Sequence, residues 1–403
     1  MTNILEVLLG DNVIGRLTLL SGDRSFFTFD DTYLNDQNRD VLSQSFFTQK
    51  GGIIPETKIV QTKLPPFFSN LLPEGYLRTY LAQRGGIKSA REFKLIELLG
   101  DDLPGAITVR AIDGYGSVQQ HENDLDLNEQ DLPYRFSLAG VQLKFSAIAE
   151  SSGGLTIPAR GVGGDWIIKL PAQNFSHVPE NEWAMLHFAS QVGITAPETR
   201  LVDLKDIAGL PDMGALQGNS VLAVKRFDRE QGGKRTHIED FAQIYNLFPD
   251  AKYRNVSYAN IANMVWMLTG EEGLTEYIKR LVFNIVIGNG DMHLKNWSLI
   301  YPDGKTPELS PAYDFVSTIP YIPNDKLALN LADSKDMTNI NLGHFKKLVK
   351  KAGLPEFLVL NIVKSTIQET YDAWDAHKTH YVLSQDIIGR IDAHMKHLAL
   401  QYI

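Results

Sequence analysis

The sequence predicts an α+β chain of two lobes, the first rich in strands and the second mostly helical. Three observations predict it. Strand signals dominate residues 134–228, helical spacing of apolar residues takes over from about residue 237, and a further unit mixing strands with helical patches fills residues 1–112. At 403 residues the chain is longer than one hydrophobic core usually serves, so two or three packed units are expected.

In the first unit, Leu5–Leu9 and Val13–Leu19 flank the turn Gly10-Asp11-Asn12 and read as a β-hairpin. Phe67–Pro73 and Ala90–Leu99 have helical spacing, with Gly100 placed to cap the second helix. Pro104–Arg110 reads as a turn followed by a strand. Residues 114–132 are polar and acidic, and a linker is placed over 113–133.

Beyond it, Leu143–Ala149, Trp166–Leu170 and Val221–Phe227 read as strands, interrupted by one helix from about Pro179 to Val192 that ends at Gly193. The helical half follows: Ile238–Leu247, Tyr258–Leu268, Leu274–Ile287, Leu342–Ala352, Pro355–Ala373 and Ser384–Tyr402. Trp297–Tyr301 and the turn after it suggest a hairpin inside that half.

Composition narrows the class. With 43% apolar and 22% charged residues the chain has the makeup of an ordinary folded protein. A net charge of -9 argues against direct DNA binding by this chain alone. The absence of cysteine removes disulfides, thiolate nucleophiles and Cys-ligated zinc. The first residues do not resemble a signal peptide, and the apolar run Leu281–Gly288 is too short to cross a bilayer, so a cytoplasmic protein without membrane partners is expected.

Chemistry concentrates in Gly288-Asn289-Gly290-Asp291-Met292-His293-Leu294-Lys295-Asn296 and in Tyr313-Asp314-Phe315. Phosphoryl transfer needs a base for the attacking hydroxyl, metal ligands and cationic anchors for the phosphates. Asp291 and Asn296 stand five residues apart, the spacing of catalytic Asp and metal-binding Asn in protein kinases, and Asp314 follows 18 residues later, where a second magnesium ligand belongs. An isolated Asp-x4-Asn is often only loop chemistry, because Asp, Asn and Gly favour turns. Here Lys169 ends a strand upstream, with Glu182 on the next helix to pair with it, which supplies the phosphate anchor. His293 and Lys295 form no zinc site and are expected to contact phosphate or support the loop. The whole points to a two-lobed protein-kinase-like fold.

Seven segments, in order and including parts of 288–296 and 313–315, carry a specific resemblance. They are Ser137–Lys144, Ile168–Pro171, Asn181–Trp183, Val224–Arg229, His237–Phe241, Asn289–Asn296 and Leu309–Asp314, joined near the start by Asn70–Gly75 and Leu98–Ala106. Together they resemble the HipA family, the serine/threonine kinase toxins of bacterial toxin-antitoxin modules. The resemblance implies an N-terminal subdomain of HipA type over 1–112, a kinase N-lobe with phosphate-binding loop and hinge over 134–228, and a helical C-lobe over 229–403. It implies ATP and magnesium as cofactors, Asp291 as base with His293 and Lys295 beside it, and Asn296 and Asp314 as magnesium ligands.

For the nucleotide it implies Lys144 and Lys169 near the phosphates, main-chain groups around Lys225 and Phe227 at adenine, Asp228 near the ribose and Tyr313 close by. Lys225 stands where the family more often has an acidic residue. Ser137 would be an autophosphorylation site, whose added charge would repel ATP phosphates and switch the enzyme off. Implied partners are a small helix-turn-helix antitoxin of HipB type, operator DNA bound through that complex, and a protein substrate such as an aminoacyl-tRNA synthetase. Two other readings stay open: a catalytically silent corepressor that binds antitoxin and DNA, and a small-molecule kinase on the same scaffold. The intact set Lys169, Asp291, Asn296 and Asp314 argues against the first.

Overall fold

The computed structural model describes residues 3–112, 144–149, 155–157, 164–210, 216–230 and 232–402. Ser137, its loop and the expected linker over 113–133 lie outside the described residues.

The predicted hairpin forms from strands β1 (Asn3–Leu9) and β2 (Asn12–Leu20), turning through Gly10 at φ +60°. Three strands extend it: β3 (Arg24–Phe29), β4 (Val60–Gln61) and β5 (Ile107–Ala111). All pair antiparallel in the order β4-β3-β2-β1-β5. Leu5, Val7 and Leu9 of β1 alternate toward a core shared with Phe27, Phe68, Ile96 and Val109, the period-two pattern of a sheet with one covered face. Four helices cover it: α1 (Asp31–Asn35), α2 (Pro66–Asn70), α3 (Gly75–Arg84) and α4 (Glu92–Leu99). Gly100 does cap α4, but in right-handed conformation at φ -59°. It is glycine because a Cβ there would lie 1.9 Å from the Val109 carbonyl oxygen.

The second sheet contains β6 (Lys144–Ala149), β7 (Leu155–Thr156), β8 (Trp166–Lys169), β9 (Thr199–Asp203), β10 (Ile207–Ala208) and β11 (Ser220–Lys225), in the order β10-β7-β6-β8-β11-β9. Val221 to Val224 of β11 are buried in succession, which marks a strand covered on both faces. Helix α5 (Val178–Gln191) packs against β9 and β11, close to its predicted span.

The C-terminal lobe holds the short α6 (Phe241–Ile244), the long α7 (Tyr258–Val286), α8 (Leu342–Ala352), α9 (Glu356–His377) and α10 (Gln385–His397) around a large apolar core. The two helices expected over 258–287 are halves of α7, broken at Gly270, whose φ of +66° is non-helical. The helix expected over Ile238–Leu247 is a correction. Residues His237–Asp240 form strand β12, paired with β13 (Ser298–Tyr301), which pairs in turn with β14 (Glu308–Leu309). The helix starts only at Phe241, because the Asp240 carboxylate accepts from the Gln243 amide at 2.8 Å while the Gln243 side chain accepts from the Asp240 amide at 2.8 Å.

The N-terminal unit is bonded directly to this lobe. Asn70 Nδ2 donates to the Leu247 carbonyl at 2.7 Å and Gln243 Nε2 to the Phe67 carbonyl at 3.0 Å.

Candidate active site

The loop after α7 is shaped by glycines that nothing larger can replace. At Gly288, with φ +71°, a Cβ would lie 2.3 Å from Ile319, and at Gly290 it would lie 2.1 Å from the Asp325 carboxylate. Between them the buried Asn289 donates to Asn284 Oδ1 at 2.8 Å and accepts from the Asp291 amide at 3.0 Å. This turn presents Asp291.

Asp291 Oδ1 accepts a hydrogen bond from Tyr253 OH at 2.7 Å, and its carbonyl accepts from Asn296 Nδ2 at 2.8 Å. Burial pushes the carboxyl up to about 6, the Tyr253 bond and Lys252 pull against that, and Asp314 and Asp325 add to the rise. A base in that range works well near neutral pH.

His293 is 2% exposed, and among the described residues neither ring nitrogen has a hydrogen-bond partner. Burial, helped by Lys252, holds it neutral, and its ring meets Tyr253 edge-on at 5.0 Å. Lys295 reaches to the N-terminal unit, donating to the Asn70 carbonyl at 3.0 Å and pairing with Glu74 at 2.7 Å.

Asn296 is buried, and with its Nδ2 committed to the Asp291 carbonyl its Oδ1 is the oxygen left to accept a further partner. Asp314 adopts φ +55°, a conformation rare outside glycine, with the Tyr313 hydroxyl before it held by the Lys295 carbonyl at 2.9 Å and by Ser298. After it, Phe315 is buried and stacked on Phe283 at 5.6 Å.

Asp314 gathers the cations. Lys144 Nζ lies 3.0 Å from Oδ2, and Lys169 bonds both Asp314 and Glu182. Burial works against the charge on Lys169, but these two carboxylates outweigh it and hold the lysine protonated, above its ordinary value. Burial likewise opposes the Asp314 charge, and Lys144 and Lys169 hold it far below the usual carboxylate range. The Lys169–Glu182 pair expected from the sequence is present.

At the end of β11, Lys225 Nζ pairs with Asp165 at 2.7 Å and lies over Trp166 at 5.2 Å, while Phe227 faces Tyr313 with ring centroids 5.9 Å apart. Asp228 is enclosed by protein groups. It is 5% exposed, and its oxygens accept from Arg226, from Arg229 and from the Gly105 amide, all within 2.9 Å.

The structure therefore brings Lys144, Lys169, Glu182 and Asp314 into one cluster, adjoins Asp291 and Asn296 to each other, and turns His293, Lys295 and Asp228 inward. Sequence reasoning missed Tyr253, which carries no motif of its own, and Glu74, which stood inside a quoted segment without a role. A base, an oxygen-rich metal position and a cationic anchor are the parts that phosphoryl transfer requires.

The HipA-like C-terminal domain matches residues 136–374, and the HipA N-terminal domain matches residues 5–110. The chain belongs to the HipA family. A relative with a provisional kinase name, Y4dM of Sinorhizobium fredii, is 46% identical over 97% of this chain and 96% of its own length. The serine/threonine-protein kinase toxin HipA of Shewanella oneidensis is 26% identical over 89% of this chain and 86% of its own. The solved complex of Shewanella oneidensis HipA with HipB and operator DNA contains a chain matching this HipA-family fold at a TM-score of 0.75 and 21% identity, over 99% of this chain and 96% of that one. The mixed α/β, two-lobed fold is thus that of HipA. Among the described residues no helix is long and apolar enough to cross a membrane.

Proposed function

We propose that this HipA-family chain is an ATP-dependent protein serine/threonine kinase, the toxin of a toxin-antitoxin module. The observation that carries it is the buried Lys169 bonded to both Glu182 and Asp314, in the same lobe junction as a base raised to about 6. Asp291 takes the proton of a substrate hydroxyl, and Tyr253 fixes which of its oxygens faces that hydroxyl.

The donor set suits magnesium. Asn296 Oδ1 and the Asp314 carboxylate are hard oxygens, and this ion commonly takes only one or two protein ligands beside phosphates. Mg-ATP supplies the phosphoryl group and neutralises its charge; the chain positions it. Lys144 and Lys169, both resting on Asp314, are the cations that exchange that carboxylate for phosphate oxygens. Adenine is assigned to the main chain around Lys225 and Phe227, with Tyr313 beside it, in an N-lobe over 134–228 above a C-lobe over 229–403.

Ser137 as an autophosphorylation site, a HipB-type antitoxin with operator DNA as partners, and a translation component such as an aminoacyl-tRNA synthetase as substrate complete the reading; they rest on family membership. Incubation with γ-labelled ATP and magnesium tests it. Wild type should label Ser137 and at least one other protein, and Asp291→Ala should label neither. Label confined to a metabolite would instead make this a small-molecule kinase.

A further inference from the structure

The N-terminal unit reaches the loop of the base through one carboxylate. Glu74, in the turn before α3, lies 2.7 Å from Lys295 Nζ through Oε1 and 2.7 Å from Lys252 Nζ through Oε2. Those lysines come from separate segments of the C-terminal lobe, and their side chains are only 14% and 12% exposed. Lys295 also donates to the Asn70 carbonyl, so the N-terminal unit holds it twice.

What the two lysines carry gives this bridge its meaning. Lys295 directly precedes Asn296, and its carbonyl anchors the Tyr313 hydroxyl beside Asp314. Lys252 directly precedes Tyr253, whose hydroxyl orients Asp291, and the Lys252 carbonyl accepts from the Leu294 amide at 3.2 Å. A displacement of either ammonium therefore moves a neighbour of the base or of the metal position. Burial works against charge on Glu74, but Lys295 and Lys252 prevail and hold its carboxyl down to about 2, so the bridge stays charged at any physiological pH. Without that carboxylate, two largely buried ammonium groups would be left to turn toward Asp291 or toward incoming phosphate.

We infer that Glu74 is a positioning residue for phosphoryl transfer, aligning the base and the metal-binding Asn296 from the N-terminal unit, which makes that unit part of the catalytic apparatus. The inference rests on the kinase reading, and Glu74 acts through Lys252 and Lys295 without touching substrate. An ordinary inter-unit ion bridge would contribute stability alone. A positioning residue affects turnover at unchanged nucleotide affinity, because small displacements of reacting groups are costly.

The test uses the full chain with Glu74→Ala, Glu74→Gln and Glu74→Asp, measuring transfer from labelled ATP to protein together with amide hydrogen exchange. Glu74→Ala should lower kcat by about ten- to a hundredfold with KM for ATP changed less than about twofold. Glu74→Asp should restore part of the rate, and exchange should quicken in 252–253 and 291–296 but not in α9. Should Glu74→Ala fold poorly, Glu74→Gln, nearly the same shape without the charge, carries the comparison. Full kcat in both variants, or exchange rising equally throughout, overturns the inference. A wild type that labels no protein overturns the kinase reading instead; the exchange pattern then decides the inference, and an unchanged 291–296 segment ends it.

Discussion

Arg226 grips Asp228 with two hydrogen bonds, Nε to Oδ1 and Nη2 to Oδ2, each 2.9 Å long. Asp102 of the N-terminal unit closes the cluster, lying 3.0 Å from Arg226 and 2.9 Å from Arg229. Two arginines and two aspartates thus neutralise each other out of water. Removing one member strands the others, at a cost of about 3–5 kcal/mol for a buried pair. Chemical denaturation of Asp228→Ala should show a loss of that size, and Asp228→Asn a smaller one. A loss under about 1 kcal/mol for Asp228→Ala would mean that water reaches the cluster.

Tyr253→Phe should slow transfer by roughly tenfold, a part of what a positioned base contributes. The hydroxyl favours the charged form of Asp291, so its removal raises a carboxyl already at about 6 and moves the acidic limb of the pH–rate profile upward. A limb that stays put, or moves down, would separate Tyr253 from the base.

Glu239 offers a stability test. It is fully buried, and burial pushes its carboxyl up to about 7 against hydrogen bonds from Ser43, Tyr301 and the Gln44 amide. The folded state then binds more protons than the unfolded chain between about 4.5 and 7, so this group costs stability as pH rises through that window, in total about 3 kcal/mol. His237, held down to about 4 by burial, acts oppositely: its contribution is lost as pH falls from about 6.5 to 4. The two offset each other in wild type. Glu239→Gln should isolate the first, gaining stability relative to wild type from pH 4.5 to 7; denaturation midpoints that track wild type at every pH would refute the assignment.

Gly100→Ala should destabilise the N-terminal unit by about 1–3 kcal/mol, since the new methyl group must displace the β5 backbone. Its helix-favouring backbone angles would otherwise make alanine an improvement. The sign of the change in melting temperature decides between space and propensity.

Local patterns in this chain were readable where one element settles its own fate. The hairpin of β1 and β2 is marked by its turn, and α8 spans Leu342–Ala352 as its spacing predicts. Strand β12 was not readable, because Ile238 and Phe241 mimic helical spacing and only its pairing with β13, some sixty residues on, makes it extended. The short β4, β9 and β10 likewise depend on neighbours distant in sequence.

The site divides the same way. That Asp291 adjoins Asn296 was legible from their five-residue spacing, and the pairing of Lys169 with Glu182 from the order of strand and helix. The inward roles of Lys295 and Asp228 were not, since they depend on Glu74 for the first and on the Gly105 amide and the Asp102 that shares Arg226 and Arg229 for the second, all more than a hundred residues earlier in the chain.

Phe315, stacked on Phe283 inside the core, ties Asp314 to the packing of the C-terminal lobe. The ring is 1% exposed, so the backbone at Asp314 cannot travel far without pulling an aromatic side chain out of close-packed surroundings. Residues of α7 that touch no charged group therefore help to fix where this carboxylate stands, and a cavity opened at Phe283 would loosen it.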